Sequence, residues 1–283
     1  MMNIVFVVLH YENLRDTKAC VESLLKYVIN DKARVVIVDN GSIYGKLDEI
    51  KKIYYEYDQI YFLKSEKNLG FAKGNNLGFL YAKHKLKAEI IILCNNDLIF
   101  PQIDYIKIIK KHFEEDYFDV AGNQIISIVD GKNQNPIPVQ YATKQQLFVR
   151  IIKYYILYFF CFFNFDLMIQ KFFSHEIIEY HPNKDDDFQL FGACLIFANR
   201  YIKEFDGLYD KTFMYNEESI LKERVKNHKL KMKYYEDAFV KHKEGASTKE
   251  IYGEGKKKRK FYYKWNIDSC WKLWRIKTGK EEV

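Results

Sequence analysis

A few acidic tips and one histidine carry the chemistry this 283-residue chain can perform. Asn95-Asn96-Asp97 follows without a break on Ile90-Ile91-Ile92-Leu93-Cys94. A carboxylate at the end of a buried strand is well placed to hold a divalent metal against a phosphate. Asp39, in Val38-Asp39-Asn40-Gly41-Ser42, ends another apolar run, and its carboxylate can accept hydrogen bonds from a base or ribose. Glu217-Glu218 follows Phe213-Met214-Tyr215-Asn216 and opens a helical pattern, a place where paired acids also complement the helix dipole. The two aspartate tips together read as a way of holding a nucleoside diphosphate.

Such tips need strands that end side by side. The unbroken apolar runs at 4–9, 35–38, 60–63 and 90–94 predict strands covered on both faces, as in a mostly parallel sheet, and 120–128 reads as a further strand. Between them, helical spacing predicts helices opening near Asp16 or Thr17, over 47–57, after a 67–76 loop up to about His84, and over about 104–113. Strand and helix alternate, which argues right-handed crossovers and an α/β fold. Further on, 129–146 reads as a polar loop, 190–197 as a strand, 217–227 as a helix, and 231–235 and 238–241 as two short strands, the second ending at His242.

Composition bounds the class. The chain is 48% hydrophobic and 29% charged, which describes a folded protein. Aromatics reach 17%, with 23 Tyr and 22 Phe, and an AT-rich genome is one reading of part of that excess. The five cysteines are far apart and form no CxxC pair, so they read as small buried hydrophobes in a reducing cytoplasm. The first residues lack a basic leader and a cleavage site, so no signal peptide is expected. No G-x-G-x-x-G follows the first strand, which is followed instead by His10-Tyr11-Glu12-Asn13, and no Walker A motif occurs. A dehydrogenase or a P-loop enzyme is therefore excluded.

Seven pieces recur in one order: His10-Tyr11, Val38-Asp39-Asn40-Gly41-Ser42, Asn68-x-Gly70-Phe71-Ala72-x-Gly74-Asn75, Asn95-Asn96-Asp97, Phe191-Gly192-Ala193-Cys194-Leu195, Phe213-Met214-Tyr215-Asn216-Glu217-Glu218, and His242 before Glu244-Gly245-Ala246-Ser247. On these pieces the chain resembles the family 2 glycosyltransferases of GT-A fold, especially the bacterial rhamnosyltransferase-like branch. The resemblance implies a GT-A domain over 1–250. It comprises a nucleotide-sugar half (1–128), a loop and aromatic insertion (129–188) and an acceptor half (189–250), followed by a basic aromatic extension (251–283).

The resemblance also implies roles. Asp39 would bind the base or ribose, with His10, Tyr11, Asn40, Ser42, Asn68, Gly70, Gly74, Asn75, Asn95 and Asn96 along the nucleotide. Asp97 and His242 would hold Mg²⁺ or Mn²⁺. Glu218, or alternatively Glu217, would be the general base of an inverting transfer. The implied donor is UDP- or dTDP-linked, and the acceptor is a glycan or lipid-linked glycan of capsule, O-antigen or lipooligosaccharide. Two departures stand out: Asn95 is neutral where an Asp is usual, and Glu218 replaces an Asp. The competing classes are a nucleotidyltransferase, whose Gly-rich basic loop is missing at 10–15, and a non-catalytic scaffold.

Residues 154–163 are unbroken in apolar and aromatic character, between Arg150 and Lys153 before and Asp166 after. Ten residues cannot span a bilayer as a helix, which takes about 20. Peripheral contact with the cytoplasmic face of the inner membrane is one reading. Core packing or a homo-oligomer contact is the other. The basic block Lys256-Lys257-Lys258-Arg259-Lys260, with Trp265, Trp271 and Trp274 behind it, shares this character. No nucleic-acid partner is expected, since nothing else resembles a recognition module.

Overall fold

The structure is a computed structural model, and it describes residues 2–28, 33–44, 47–139, 143–172, 187–244 and 255–283. The Gly245-Ala246-Ser247 stretch lies outside them. An eight-stranded sheet forms the centre. Its strands are β1 (Ile4–His10), β2 (Arg34–Asp39), β3 (Ile60–Lys64), β4 (Ile90–Asn95), β5 (Leu98–Ile99), β6 (Val120–Ser127), β9 (Cys194–Ala198) and β10 (Met232–His242), in the order β3-β2-β1-β4-β9-β6-β10-β5. A two-stranded ribbon pairs β7 (Ile137–Pro138) with β8 (Phe188–Gln189).

The apolar runs are continuous because both faces of the sheet are covered. Ile4, Phe6 and Val8 enter one core layer, while Val5 and Val7 enter the other. Strand alternation sends successive side chains to opposite faces, so a strand buried on both sides has no polar position to spare. Helix α1 (Leu14–Ser23) contributes Cys20 and Val21 to the first layer, and α3 (Phe71–His84) contributes Ala72, Phe79 and Ala82 to the second. Gly78 lets α3 approach closely, since a Cβ there would lie 2.2 Å from a methyl of Val7. Helices α2 (Leu47–Tyr54), α4 (Tyr105–Asp116) and α7 (Asn199–Glu204) complete the flanks.

The sheet is mostly parallel, as expected, with two reversals that the sequence did not predict. The short β5 pairs antiparallel with β10. β9 runs antiparallel between β4 and β6. Local periodicity is the same for either strand direction, so only the chain path decides it. Several boundaries also move. α1 starts at Leu14, because the Asn13 side chain caps it by accepting the Asp16 N–H. α3 starts at Phe71, inside the expected loop. The strand expected from 190 starts at Cys194. The two short strands around 231–241 are one strand, β10, interrupted by a bulge between Tyr235 and Phe239.

The aromatic run belongs to an 18-residue helix, α5 (Lys144–Cys161), opened by a capping box between Thr143 and Gln146. α6 (Asp166–Phe172) follows it. The basic C-terminal stretch is a 22-residue helix, α9 (Lys256–Lys277). A third core cluster joins Leu147, Ile151, Tyr154, Leu157 and Cys161 of α5 with Tyr263, Cys270, Leu273 and Ile276 of α9 and Ile220 of α8 (Glu217–Asn227). Asp166, fully buried, receives Arg259 (Nε to Oδ2, 2.6 Å) and the Tyr263 hydroxyl (3.1 Å). All five cysteines are free and buried.

Candidate active site

Strand order gathers the expected tips on one edge of the sheet. His10 lies opposite Asp39, and Leu9 opposite Asn95, so the ends of β1, β2 and β4 stand together. β9 runs the other way, with Cys194 opposite Cys94, so its approach, Phe191-Gly192-Ala193, reaches the same edge. His242 ends β10 beside Ser127 of β6 and Leu98 of β5.

Asp97 and His242 meet there. His242 Nε2 is 3.3 Å from Asp97 Oδ1, and both side chains are nearly buried. The next residue ties the backbones together, as the Lys243 N–H donates to the Asp97 carbonyl (3.0 Å). His242 Nδ1 lies 2.7 Å from Gln134 Oε1. An amide oxygen only accepts, so Nδ1 carries a hydrogen, and Nε2 is the ring nitrogen that faces Asp97. A neutral imidazole nitrogen beside a carboxylate is a donor set suited to Mg²⁺ or Mn²⁺. Among the described residues no group of three or more His, Cys, Asp and Glu comes together. Such a cation would therefore take its remaining ligands from phosphate and water, the usual manner for Mg²⁺.

Gln134 had no signature in the sequence. The 129–139 loop folds back over β6, with the Gln134 N–H donating to the Ile125 carbonyl (2.8 Å). The neighbouring Asn135 amide donates to the Asn123 carbonyl (2.6 Å) and accepts the Phe191 N–H (2.9 Å). One loop thus orients the His242 ring and fixes the strand approach at 191–193. Thr17 is a second such residue: its hydroxyl lies 2.7 Å from His10 Nδ1 and accepts from Asn96 Nδ2 (2.9 Å).

Around the ends of β1 and β2, several predicted residues hold the loops that shape the edge. Asp39, fully buried, accepts the Ser42 N–H (2.9 Å) and the Leu47 N–H (3.3 Å), which fixes the turn into α2. Ser42 Oγ accepts the Glu12 N–H (2.8 Å). Asn40 donates to the Gly70 carbonyl (3.0 Å) and accepts the Leu69 N–H (3.0 Å). Asn68 accepts the Gly70 N–H (2.8 Å). Gly74 lets α3 close on Leu9 and Asn40. Asn75, almost fully buried, donates to the Phe71 carbonyl (3.0 Å), and its Oδ1 has no hydrogen-bond partner. Tyr11 and Asn95 are half-buried at the ends of their strands. Gly70 has φ 85°, and a Cβ there would lie 2.1 Å from the Phe213 carbonyl, which also accepts the Phe71 N–H (2.9 Å). Only glycine fits this crossing, where the loop before α3 clasps the loop that leads to the acid pair.

That second loop is strained and tightly held. Tyr215 and Asn216 are both left-handed (φ 75° and 63°), a conformation that non-glycine residues rarely adopt. α9 supports them. Asn216 donates to Ser269 Oγ (2.8 Å), the Tyr215 ring sits 5.1 Å from Tyr262, and Phe213 stacks on Trp265 at 4.4 Å. Glu217 and Glu218 then open α8, about 100° apart around its axis.

The two acids face different surroundings. Glu218 turns to the sheet edge, where its Oε1 accepts the Gly192 N–H (3.2 Å). Phe191, one residue earlier, packs its ring 5.8 Å from His242. Glu217 turns into a small cavity of about 10 Å³ lined by Leu208, Tyr209, Ile220, Leu221 and Arg224, and its Oε1 has no hydrogen-bond partner. Burial, and then the charge of Glu218, push the Glu217 carboxyl up to about 8. Burial also raises Glu218, but the Gly192 N–H opposes that shift by stabilising its charged form. Glu217 therefore holds its proton at neutral pH, while the Gly192 N–H favours the charged form of Glu218.

This division has a stability consequence. Between 4.5, the ordinary value, and about 8, the unfolded chain has released the Glu217 proton and the folded chain has not. Unfolding then releases a proton, so Glu217 lowers stability increasingly as pH rises through that window, and the loss levels off above it. Glu217→Gln keeps the shape of the neutral acid. It is expected to be more stable than the parent at pH 8 by about 1 kcal/mol or more, with the difference vanishing near pH 4.5. Urea midpoints across pH measure this, and a pH-independent difference would show that Glu217 ionises normally.

The chain is similar to known proteins in sequence and in fold. The sequence profile described as "Glycosyl transferase family 2" matches residues 5–175. The low-salt glycan biosynthesis hexosyltransferase Agl10 of Haloferax volcanii is 25% identical over 132 residues, which cover 47% of this chain and 40% of that protein. The chain thus spans less than half the length of that relative. Among solved structures, S. aureus TarS 1–349 in complex with UDP superposes with a TM-score of 0.57 at 12% identity, covering 100% of this chain and 67% of that one. GalNAc-T7 with UDP, GalNAc and Mn²⁺ superposes with a TM-score of 0.59 at 11% identity, covering 88% of this chain and 45% of that one. The structural likeness places the fold with the GT-A enzymes, and the profile match covers most of the chain: it belongs to glycosyl transferase family 2.

Proposed function

We propose that this protein is an inverting, metal-dependent glycosyltransferase that moves a sugar from a UDP- or dTDP-sugar to a glycan hydroxyl. One observation carries the reading. The Asp97–His242 pair and Glu218 share one sheet edge, which lies at the carboxyl ends of β1, β2 and β4, where α/β sheets bind nucleotides. The family supports glycosyl transfer, and UDP in the TarS and GalNAc-T7 structures supports a nucleotide donor. Mn²⁺ in the GalNAc-T7 structure supports a metal.

In this mechanism Glu218 takes the proton of the acceptor hydroxyl. The freed oxygen attacks the anomeric carbon from the face opposite the diphosphate. The glycosidic C–O bond to the diphosphate breaks, the nucleoside diphosphate leaves with that electron pair, and the anomeric centre inverts. Asp97 and His242 would hold Mg²⁺ or Mn²⁺, which neutralises charge on the leaving diphosphate. Glu217, neutral, supports the helix start and does not compete for the proton. The proposed acceptor is a bacterial surface-glycan precursor of the capsule, O-antigen or lipooligosaccharide kind, met at the cytoplasmic face of the membrane. The glycan-biosynthesis role of Agl10 supports the acceptor class.

Thermal unfolding with UDP, dTDP or GDP, each with and without Mn²⁺, tests the reading. UDP or dTDP with Mn²⁺ is expected to raise Tm by several degrees at a hundredfold excess over Kd, where mass action contributes about 2.7 kcal/mol. No shift with any nucleotide would overturn the proposal.

A further inference from the structure

α5 and α6 present an apolar surface that the core does not use. Phe148, Ile152, Tyr155 and Phe159 recur at helical spacing on a side of α5 away from its buried Leu147, Tyr154 and Leu157, and Phe162 and Phe163 continue the surface in the turn after it. Phe165, Leu167 and Met168 extend the surface along α6. These side chains are between 44% and 60% exposed. Of the twenty large hydrophobics that stand exposed among the described residues, ten lie between 148 and 168. Exposure on this scale marks an interaction site.

Its charge indicates the partner. Residues 143–172 contain one acid, Asp166, and it is buried against Arg259. The basic first turns of α9 adjoin the apolar surface. Lys256 Nζ donates to the Phe162 carbonyl (2.7 Å), and Lys260 Nζ lies 3.5 Å from the centre of the Phe162 ring. Lys257 and Lys264 project from the same helix into solvent. No described helix is long and apolar enough to cross a membrane. An aromatic stripe rimmed by lysines and free of exposed carboxylate suits a helix lying in the plane of an anionic bilayer. A symmetric contact with a second copy would set the two lysine clusters against each other, which disfavours that occupant.

We propose that the exposed face of α5 and α6, with the basic start of α9, docks on an anionic phospholipid bilayer. The inference rests on surface geometry and stands whether or not the proposed transfer reaction is correct. α9 also supports the Tyr215-Asn216 turn before the acid pair, so docking would hold the site at the membrane surface, where lipid-linked acceptors are presented.

The test is flotation of the full chain with vesicles of phosphatidylcholine, alone or with 30% phosphatidylglycerol added (about that fraction gives a strongly anionic surface). The parent is expected to float with the anionic vesicles, more weakly at high salt, and not with phosphatidylcholine alone. Phe159→Glu/Phe163→Glu is expected to lose flotation, and Lys257→Gln/Lys258→Gln to bind roughly fivefold more weakly per charge removed. All four positions lie at the surface, and circular dichroism checks that the fold is kept. Absence of parent flotation, or flotation unchanged in both variants, would overturn the proposal. So would a parent dimer in light scattering that Phe159→Glu/Phe163→Glu splits, because the face would then be a self-interface.

Discussion

Glu218→Gln is expected to lose transfer by about 10²–10⁴-fold, the usual cost of removing a general base, with donor affinity kept. Glu218 alone of the two acids faces the sheet edge, where the Gly192 N–H favours its charged form. The glutamine keeps the hydrogen bond from Gly192 through its amide oxygen, so the fold is preserved. Single-turnover transfer with a defined acceptor, beside calorimetry of UDP or dTDP, separates chemistry from binding. Glu217→Gln is expected to keep most of the activity. If Glu217→Gln instead shows the large loss and Glu218→Gln does not, the base is Glu217. Near-normal transfer in both would reduce the pair to a helix-dipole device.

Asp97→Ala is expected to abolish transfer and to remove the Mn²⁺-dependent part of nucleotide affinity. The carboxylate is almost wholly buried, its Oδ1 stands 3.3 Å from His242 Nε2, and no third acid or histidine joins them among the described residues. Nothing nearby can replace it. His242→Ala is expected to weaken the same affinity less, since one neutral ligand is lost and not the charge. Gln134→Leu frees the ring from its Nδ1 partner, and loss of such an outer contact typically costs about 10–100-fold in metal affinity. Calorimetry of UDP or dTDP with Mn²⁺ and with EDTA is the measurement. Equal affinity for the parent in both conditions would take the metal out of the mechanism.

Much of this was legible in the amino-acid order. Apolar runs such as Ile90-Ile91-Ile92-Leu93, short and rich in β-branched residues, read as strands covered on both faces, because a half-exposed strand alternates. The polar residues that break those runs, at His10, Asp39 and Asn95-Asn96-Asp97, mark the strand ends, and parallel strands put their ends on one edge. The aromatic run was too short to cross a bilayer by length alone. The resemblance to the family supplied the role of base, which neither spacing nor composition contains.

Tertiary structure decided what local pattern does not encode. The direction of β9 is invisible to periodicity, yet it brings Gly192 to Glu218. Asp97 and His242 are far apart in the chain, and their contact depends on β10 and β5 pairing at the sheet's end. Gln134 lies in a stretch without periodicity, so only the folded loop assigns it a partner. Glu217 and Glu218 are the same residue type side by side, and their different surroundings come from packing: one turned into a cavity beside Arg224, the other onto a backbone N–H. Sequence determines what can be buried and what can ionise. Which groups face each other, and hence which acid keeps its proton, is set by contacts between distant segments, because desolvation and hydrogen bonding depend on neighbours that the chain brings together only when folded.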